Sequence, residues 1–182
     1  MTFKDLNLKD QYSPESEEML SNFYIPSLGV ATKYKRLAGF FSSTSLAAAA
    51  IGMKEFIRNG GKMQMITSVV LSQQDKEAIE QGLDPKEMSG DFLKELEDLD
   101  DNGYTKLHVK ILGWMIKKGL LEIKIADVPI DYATFHMKIG ILEDENDPAS
   151  DGKPSAVSFN GSVNETGRGW ENNPEYFDVH IS

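Results

Sequence analysis

What most constrains the fold is an apolar run, a helix-forming run and a second apolar run in close succession. Tyr34 to Phe41 reads as a strand. Ser42-Ser43-Thr44 offers capping hydroxyls for the alanine-rich segment Ser45 to Arg58, and Asn59-Gly60-Gly61 stops that helix with residues that tolerate positive φ. The next strand is Lys62 to Val70. Strand, helix, strand in that order predicts a right-handed crossover and a parallel pair, and so an α/β fold.

The remaining segments extend that sheet. Ser13-Pro14-Glu15 reads as an N-cap with proline at the first helical position, opening a helix through Leu28. Ser72-Gln73-Gln74-Asp75 and Asp84-Pro85-Lys86-Glu87 look like further helix starts, the second with its acid at the capping-box position. Tyr104 to Lys118 carries Leu107, Ile111, Leu112 and Met115 at helical spacing. Leu121 to Ala126, Thr134 to Leu142, Ser155 to Phe159 and Glu175 to Ile181 return to strand. With 182 residues, 40% of them hydrophobic and 26% charged, the chain suits a single domain over 1–182: a mixed β-sheet flanked by helices. Its end inside a strand reads as the N-terminal part of a larger protein.

Several functions are excluded or disfavoured. The absence of cysteine removes disulfides, thiolate zinc sites and cysteine nucleophiles, and a cytoplasmic location is expected. No run approaches the length of a membrane span, and the start lacks a signal-like apolar stretch. Asp98-x-Asp100-x-Asn102-Gly103 imitates a calcium loop but has Val109 where the bidentate glutamate belongs. Asn59-Gly60-Gly61-Lys62 lacks the spacing and the hydroxyl of a phosphate loop. A net charge of −10 opposes polyanions at long range, although Lys33, Lys35, Arg36, Lys106, Lys110, Lys117 and Lys118 are available to line one surface.

Against that background one constellation stands out. His136-Met137-Lys138 is followed by Gly161-Ser162-Val163-Asn164 and then Asn173-Pro174-Glu175. An imidazole, an ammonium, a hydroxyl, an amide and a carboxylate are together suited to one phosphate. Alternation on the predicted strand puts His136 and Lys138 on one face. Breaking a phosphodiester without a metal requires a nucleophile, a proton donor for the leaving oxygen and fixed donors on the non-bridging oxygens. His136 suits the first role. Lys138, Asn164 and Ser162 suit the last, Gly161 lets the backbone approach, and Glu175 is placed to hold the imidazole in one tautomer.

His136-x-Lys138 with an acid five positions later at Glu143, then Gly161-Ser162-x-Asn164, resembles the signature of the phospholipase D superfamily; the Asn173-x-Glu175 tail resembles its nuclease branch. The resemblance is sharpest over residues 121–182. It implies an α/β sandwich and a metal-independent phosphodiesterase or phosphatidyltransferase, with no cofactor, working through a phosphohistidine with two signature copies around one pocket. Glu143 stands where the family has aspartate, with a supporting structural role, and seventeen residues separate it from Gly161 where the family has a short spacer. The insert from Asp144 to Pro154 reads as an elongated hairpin loop.

One signature supplies one histidine. His108-Val109-Lys110 also spells H-x-K, but in a helical stretch, where residues two apart point in different directions, so His108 reads as structural, as does His180. An isologous homodimer that sets His136 beside its symmetry mate completes the chemistry. The expected function is therefore a DNA endonuclease, joined to restriction, repair or helicase domains, with Arg168 on a neighbouring phosphate and Trp170 stacked on a base. Phosphatidyl transfer, a magnesium-dependent nuclease built on Glu122 and Lys124 downstream of Asp100 and Asp101, and a non-catalytic phosphate-binding module are the alternatives.

Overall fold

The computed structural model describes residues 1–13, 19–68, 101–126, 135–148 and 152–182, with positions 74, 77 and 80 in helix. The predicted helix starts after Ser72 and Asp84 otherwise lie outside the described residues.

The predicted strand–helix–strand order and parallel pair are present. Strand β2 (Lys33–Ala38) leads through α2 (Thr44–Ala48) and α3 (Ala50–Arg58) to β3 (Lys62–Thr67), which pairs parallel to β2 in register from Lys33 with Lys62 to Ala38 with Thr67. Gly60 at φ 70° makes the stop that the Asn-Gly-Gly run predicts. The single predicted helix is broken at Ala49, whose ψ of 25° leaves the helical region. Ahead of β2, a π-helical turn (Leu20–Tyr24) runs into α1 (Ile25–Val30). Pro26 accounts for the turn: it has no amide to donate and its ring crowds the carbonyl four residues back, so a wider turn relieves the clash.

Helix α4 (Asp101–Lys117) returns to β4 (Leu121–Ile125), parallel to β3. The other half of the sheet is antiparallel. Strands β5 (Ile139–Pro148), β6 (Pro154–Gly161) and β7 (Phe177–Ile181) follow in chain order, α5 (Gly167–Glu171) lies between β6 and β7, and the short β1 (Gln11–Tyr12) adds to β7. The order across the sheet is β1-β7-β6-β5-β2-β3-β4, with β5 antiparallel to β2 at the junction of the two halves. The molecule is thus an α/β fold, with a mixed sheet of seven strands among the described residues, flanked by helices.

Strand β5 corrects the sequence reading, because it starts five residues later than predicted and runs on through the acidic stretch expected to be loop. Charge pairing explains the extension. Lys35 Nζ meets Glu143 Oε1 at 2.7 Å, Lys33 Nζ meets Glu145 Oε1 at 2.6 Å, and the Glu145 amide donates to Thr32 Oγ1 at 3.0 Å. The basic start of β2 therefore stitches down an acidic segment that would repel itself alone.

One sheet face carries the core. Phe23, Phe159, Phe177, Tyr12 and Trp170 form a connected aromatic cluster with centroid separations of 4.9 to 6.4 Å. Helix α1 packs on α3, and α2 packs on α4 and α5. Among the described residues no helix is long and apolar enough to cross a membrane.

Candidate active site

Four strand ends meet where the sequence motifs lie. Because β2 and β6 run opposite to β5 and β7, the C-terminal ends of the first two adjoin the N-terminal ends of the others. His136 and Lys138 precede β5, Gly161 ends β6 and Ser162 follows it, Glu175 precedes β7, and Gly39 and Phe40 follow β2. Backbone bonds tie these ends together. The Gly161 amide donates to the Lys138 carbonyl at 3.3 Å and the Ser162 amide to the Tyr176 carbonyl at 2.8 Å. Gly161 is required for that closeness, since a Cβ there would fall 2.0 Å from the Tyr176 oxygen.

His136 and Lys138 do not share a strand face as alternation predicted, because both precede the strand. His136 is exposed, whereas Lys138 is 7% exposed and folds its Nζ back onto the His136 carbonyl at 3.0 Å. Burial pulls the Lys138 pKa below its ordinary value, the Arg36 guanidinium pulls the same way, and Glu175 opposes both. An ammonium held this way is a strong donor for an anion, since little water competes for it.

Glu175, 8% exposed, receives the Ser162 hydroxyl on Oε2 and Asn173 Nδ2 on Oε1 at 3.2 Å. Among the described residues, the hydrogen bonds of Glu175 thus run to Ser162 and Asn173 rather than to the imidazole. Ser162 Oγ also accepts the Tyr176 amide at 2.9 Å, so this hydroxyl fixes the loop as well as facing the site. Asn164 Oδ1 accepts the Phe40 amide at 3.1 Å, which leaves the Asn164 amino group as the donor presented to a ligand. The same oxygen lies 3.3 Å from the point where a Gly39 Cβ would sit, and the His136 Cα lies 3.6 Å from that point. The imidazole-bearing loop and Asn164 are therefore neighbours across Gly39.

Other expected residues lie elsewhere. Glu143, five residues up β5 from Lys138 and hence about 16 Å away along the strand, is paired with Lys35. Trp170 is 2% exposed and stacks on Tyr24 at 3.9 Å with an interplanar angle of 6°, so its ring has no face free for a base. Arg168 is exposed on α5 and lines a cleft with Asn164 and Asn173. His108 lines that cleft too, its Nδ1 2.7 Å from Ser43 Oγ. Glu122 lies on β4, 3.2 Å from Lys124, and accepts from Gln64, which lowers its pKa. The side chains of Asp100 and Asp101 lie outside the described residues.

The sequence reading missed the groups beneath the site. Glu165, directly after Asn164, is fully buried and receives Arg36 Nε at 3.0 Å, Tyr34 Oη at 2.8 Å, Trp170 Nε1 at 3.3 Å and Tyr24 Oη. Arg36 Nη2 donates to the Val163 carbonyl. A signal existed: Tyr34, Arg36 and Ala38 occupy the inward face of β2, where a charge requires a buried partner.

No protein-family model matches the chain, and no curated protein matches it. Solved structures do match. NucT from Helicobacter pylori aligns with a TM-score of 0.50 at 16% sequence identity, covering 94% of this chain and 82% of that one. At that identity the likeness shows the fold, and the chemistry rests on the residues themselves.

Proposed function

We propose that this chain is a metal-independent phosphodiesterase, with DNA as its substrate, acting through a phosphohistidine at His136. The observation that carries the reading is the convergence of His136, Lys138, Ser162, Asn164 and Glu175 on one end of adjacent strands, with a buried ammonium among them. An imidazole nitrogen attacks phosphorus, forming the N–P bond as the P–O bond to the leaving oxygen breaks. A protonated acid delivers its proton to that oxygen. Water then gives a proton to that same group, now acting as base, and attacks phosphorus; the N–P bond breaks, and both the imidazole and the acid are restored. Lys138 and the Asn164 amino group face the charge that gathers on the non-bridging oxygens.

The acid in this scheme is the same histidine of a second copy, in a homodimer with one shared pocket. That arrangement gives a bell-shaped pH profile, and a profile with one inflection counts against it. The Asn173-x-Glu175 tail, which resembles the nuclease branch, is the reason to test nucleic acid before lipid.

The experiment is cleavage of single- and double-stranded DNA in excess EDTA, with His136→Ala alongside. Cleavage that survives chelation and disappears in the variant is the expected result. Cleavage that needs magnesium and ignores His136 would overturn it and move attention to Glu122 and Lys124.

A further inference from the structure

Beside Asn164 opens a cleft of about 830 Å³ whose lining, Asn164 apart, the phosphate chemistry does not use. Its lining is apolar at Ala47, Ala48 and Ile51 on α2 and α3 and at Phe40, and polar at Asn164, Arg168, Asn173 and His108. Phe40 is 43% exposed although its amide is bonded to Asn164, which fixes an open aromatic ring at the edge of the site. Met137, 56% exposed and adjacent to His136, is a second large apolar side chain at that end of the sheet.

Resting on the phosphodiesterase reading, we propose that this cleft holds an unpaired nucleoside flanking the scissile phosphate, with its base against Phe40. Size is the first argument, because clefts of a few hundred to about a thousand cubic ångströms enclose a drug-sized molecule and not a duplex. Charge is the second. Duplex binders draw most of their affinity from phosphate contacts, yet the cleft residues include one fixed cation, Arg168, offset by Glu171. On a chain of net charge −10, affinity must come largely from base contacts. Stacking on an aromatic ring supplies it, and stacking requires a base whose face is free. The third argument is the imidazole of His108. The Ser43 hydroxyl engages Nδ1 and so leaves Nε2 to meet the polar edge of a base.

The test is binding of fluorescein-labelled oligothymidylate by the His136→Ala protein in EDTA. An abasic strand and a blunt duplex of the same length serve as comparisons. The single strand is expected to bind at least about tenfold tighter than either, Phe40→Ala to weaken it about tenfold, and Phe40→Trp to restore it. Equal affinity for the abasic strand or the duplex would overturn the proposal, as would a Phe40→Ala protein that keeps its fold by circular dichroism and binds as its parent does. Since binding is read without turnover, the two readings fail separately. A chain that binds bases this way and never cuts sinks only the phosphodiesterase, whereas one that cuts abasic, duplex and base-bearing DNA alike sinks only the cleft.

Discussion

Arg36 and Glu165 form an ion pair at 3.0 Å in which neither side chain is reached by solvent. Arg36 also donates to the Val163 carbonyl and lies over the Phe159 ring, 4.9 Å from its centroid. Val163 and Glu165 flank Asn164, so β2 grips the chain on both sides of the residue proposed to hold the phosphate. The pair is thus a positioning device beneath the site.

Removing one member leaves the other charged and buried, which costs about 3–5 kcal/mol. Glu165→Gln and Arg36→Met should each lower the urea midpoint by a corresponding amount and reduce kcat more than they raise KM. The double variant Arg36→Met with Glu165→Gln should regain stability without regaining activity, because no lone charge remains and the amide still meets the Tyr24, Tyr34 and Trp170 donors, but the Val163 carbonyl beside Asn164 has lost its anchor. Recovery of both together would show that the pair serves the fold alone.

Lys138 makes a pH prediction with a definite sign. Its folded pKa lies below the ordinary lysine value of 10.5, chiefly through burial. Beyond the limb set by the protonated histidine, activity that needs the ammonium should therefore fall more steeply along a second alkaline limb starting below that value. Lys138→Arg, which stays protonated, should move the limb upward. Stability responds in the opposite direction: between the depressed folded pKa and the ordinary one, the unfolded chain binds more protons, so folding gains as pH rises through this window. Denaturation of wild type and Lys138→Met at matched pH values checks this, since the wild type should gain on the variant toward alkaline pH. A constant difference would refute it.

The sequence disclosed the elements whose residues satisfy themselves locally. The Asn59-Gly60-Gly61 stop, the β2 and β3 pair and the Leu121 strand were legible because turn chemistry and alternation are short-range signals. The motif residues stood out in the sequence, and the antiparallel order of β5, β6 and β7 brings their strand ends together. What stayed hidden depends on distant partners. The extension of β5 through Glu145 needs Lys33 and Lys35, more than a hundred residues away in sequence. Glu165 looks like a surface acid until Tyr24, Tyr34, Arg36 and Trp170 surround it.

Trp170 shows the consequence for a functional assignment. A tryptophan that follows Gly167-Arg168-Gly169 looked available to a base, but the ring is closed between Tyr24 and the Phe177 edge, 6.0 Å away. Trp170→Ala should cost about 3–5 kcal/mol in stability, as removal of a buried large aromatic does. The fraction that stays folded should bind oligothymidylate as the parent does. A thermal melt with binding measured well below the transition separates the two effects, and lost affinity at unchanged stability would restore the base-stacking role.

Gly161 and Gly29 give opposite expectations for the same substitution. A methyl group at Gly161 would fall 2.0 Å from the Tyr176 oxygen and 2.5 Å from the Phe177 Cα, both backbone atoms that cannot rotate aside. Relief requires β7 to move away from β6, which lengthens the bonds between Ser162 and Tyr176 and draws Glu175 from Ser162. Overpacking of this kind costs about 1–3 kcal/mol. A shift near one ångström in catalytic groups can cost about a hundredfold in rate. Gly29 lies in α1, and a Cβ there would meet only the Glu55 Cβ at an ordinary 3.9 Å. Gly29→Ala should therefore stabilise the protein by about 0.5–1 kcal/mol and leave cleavage unchanged. Gly161→Ala should stay folded at low temperature and lose most of its cleavage; full activity in that variant would mean that the strand ends are not held as tightly as the site requires.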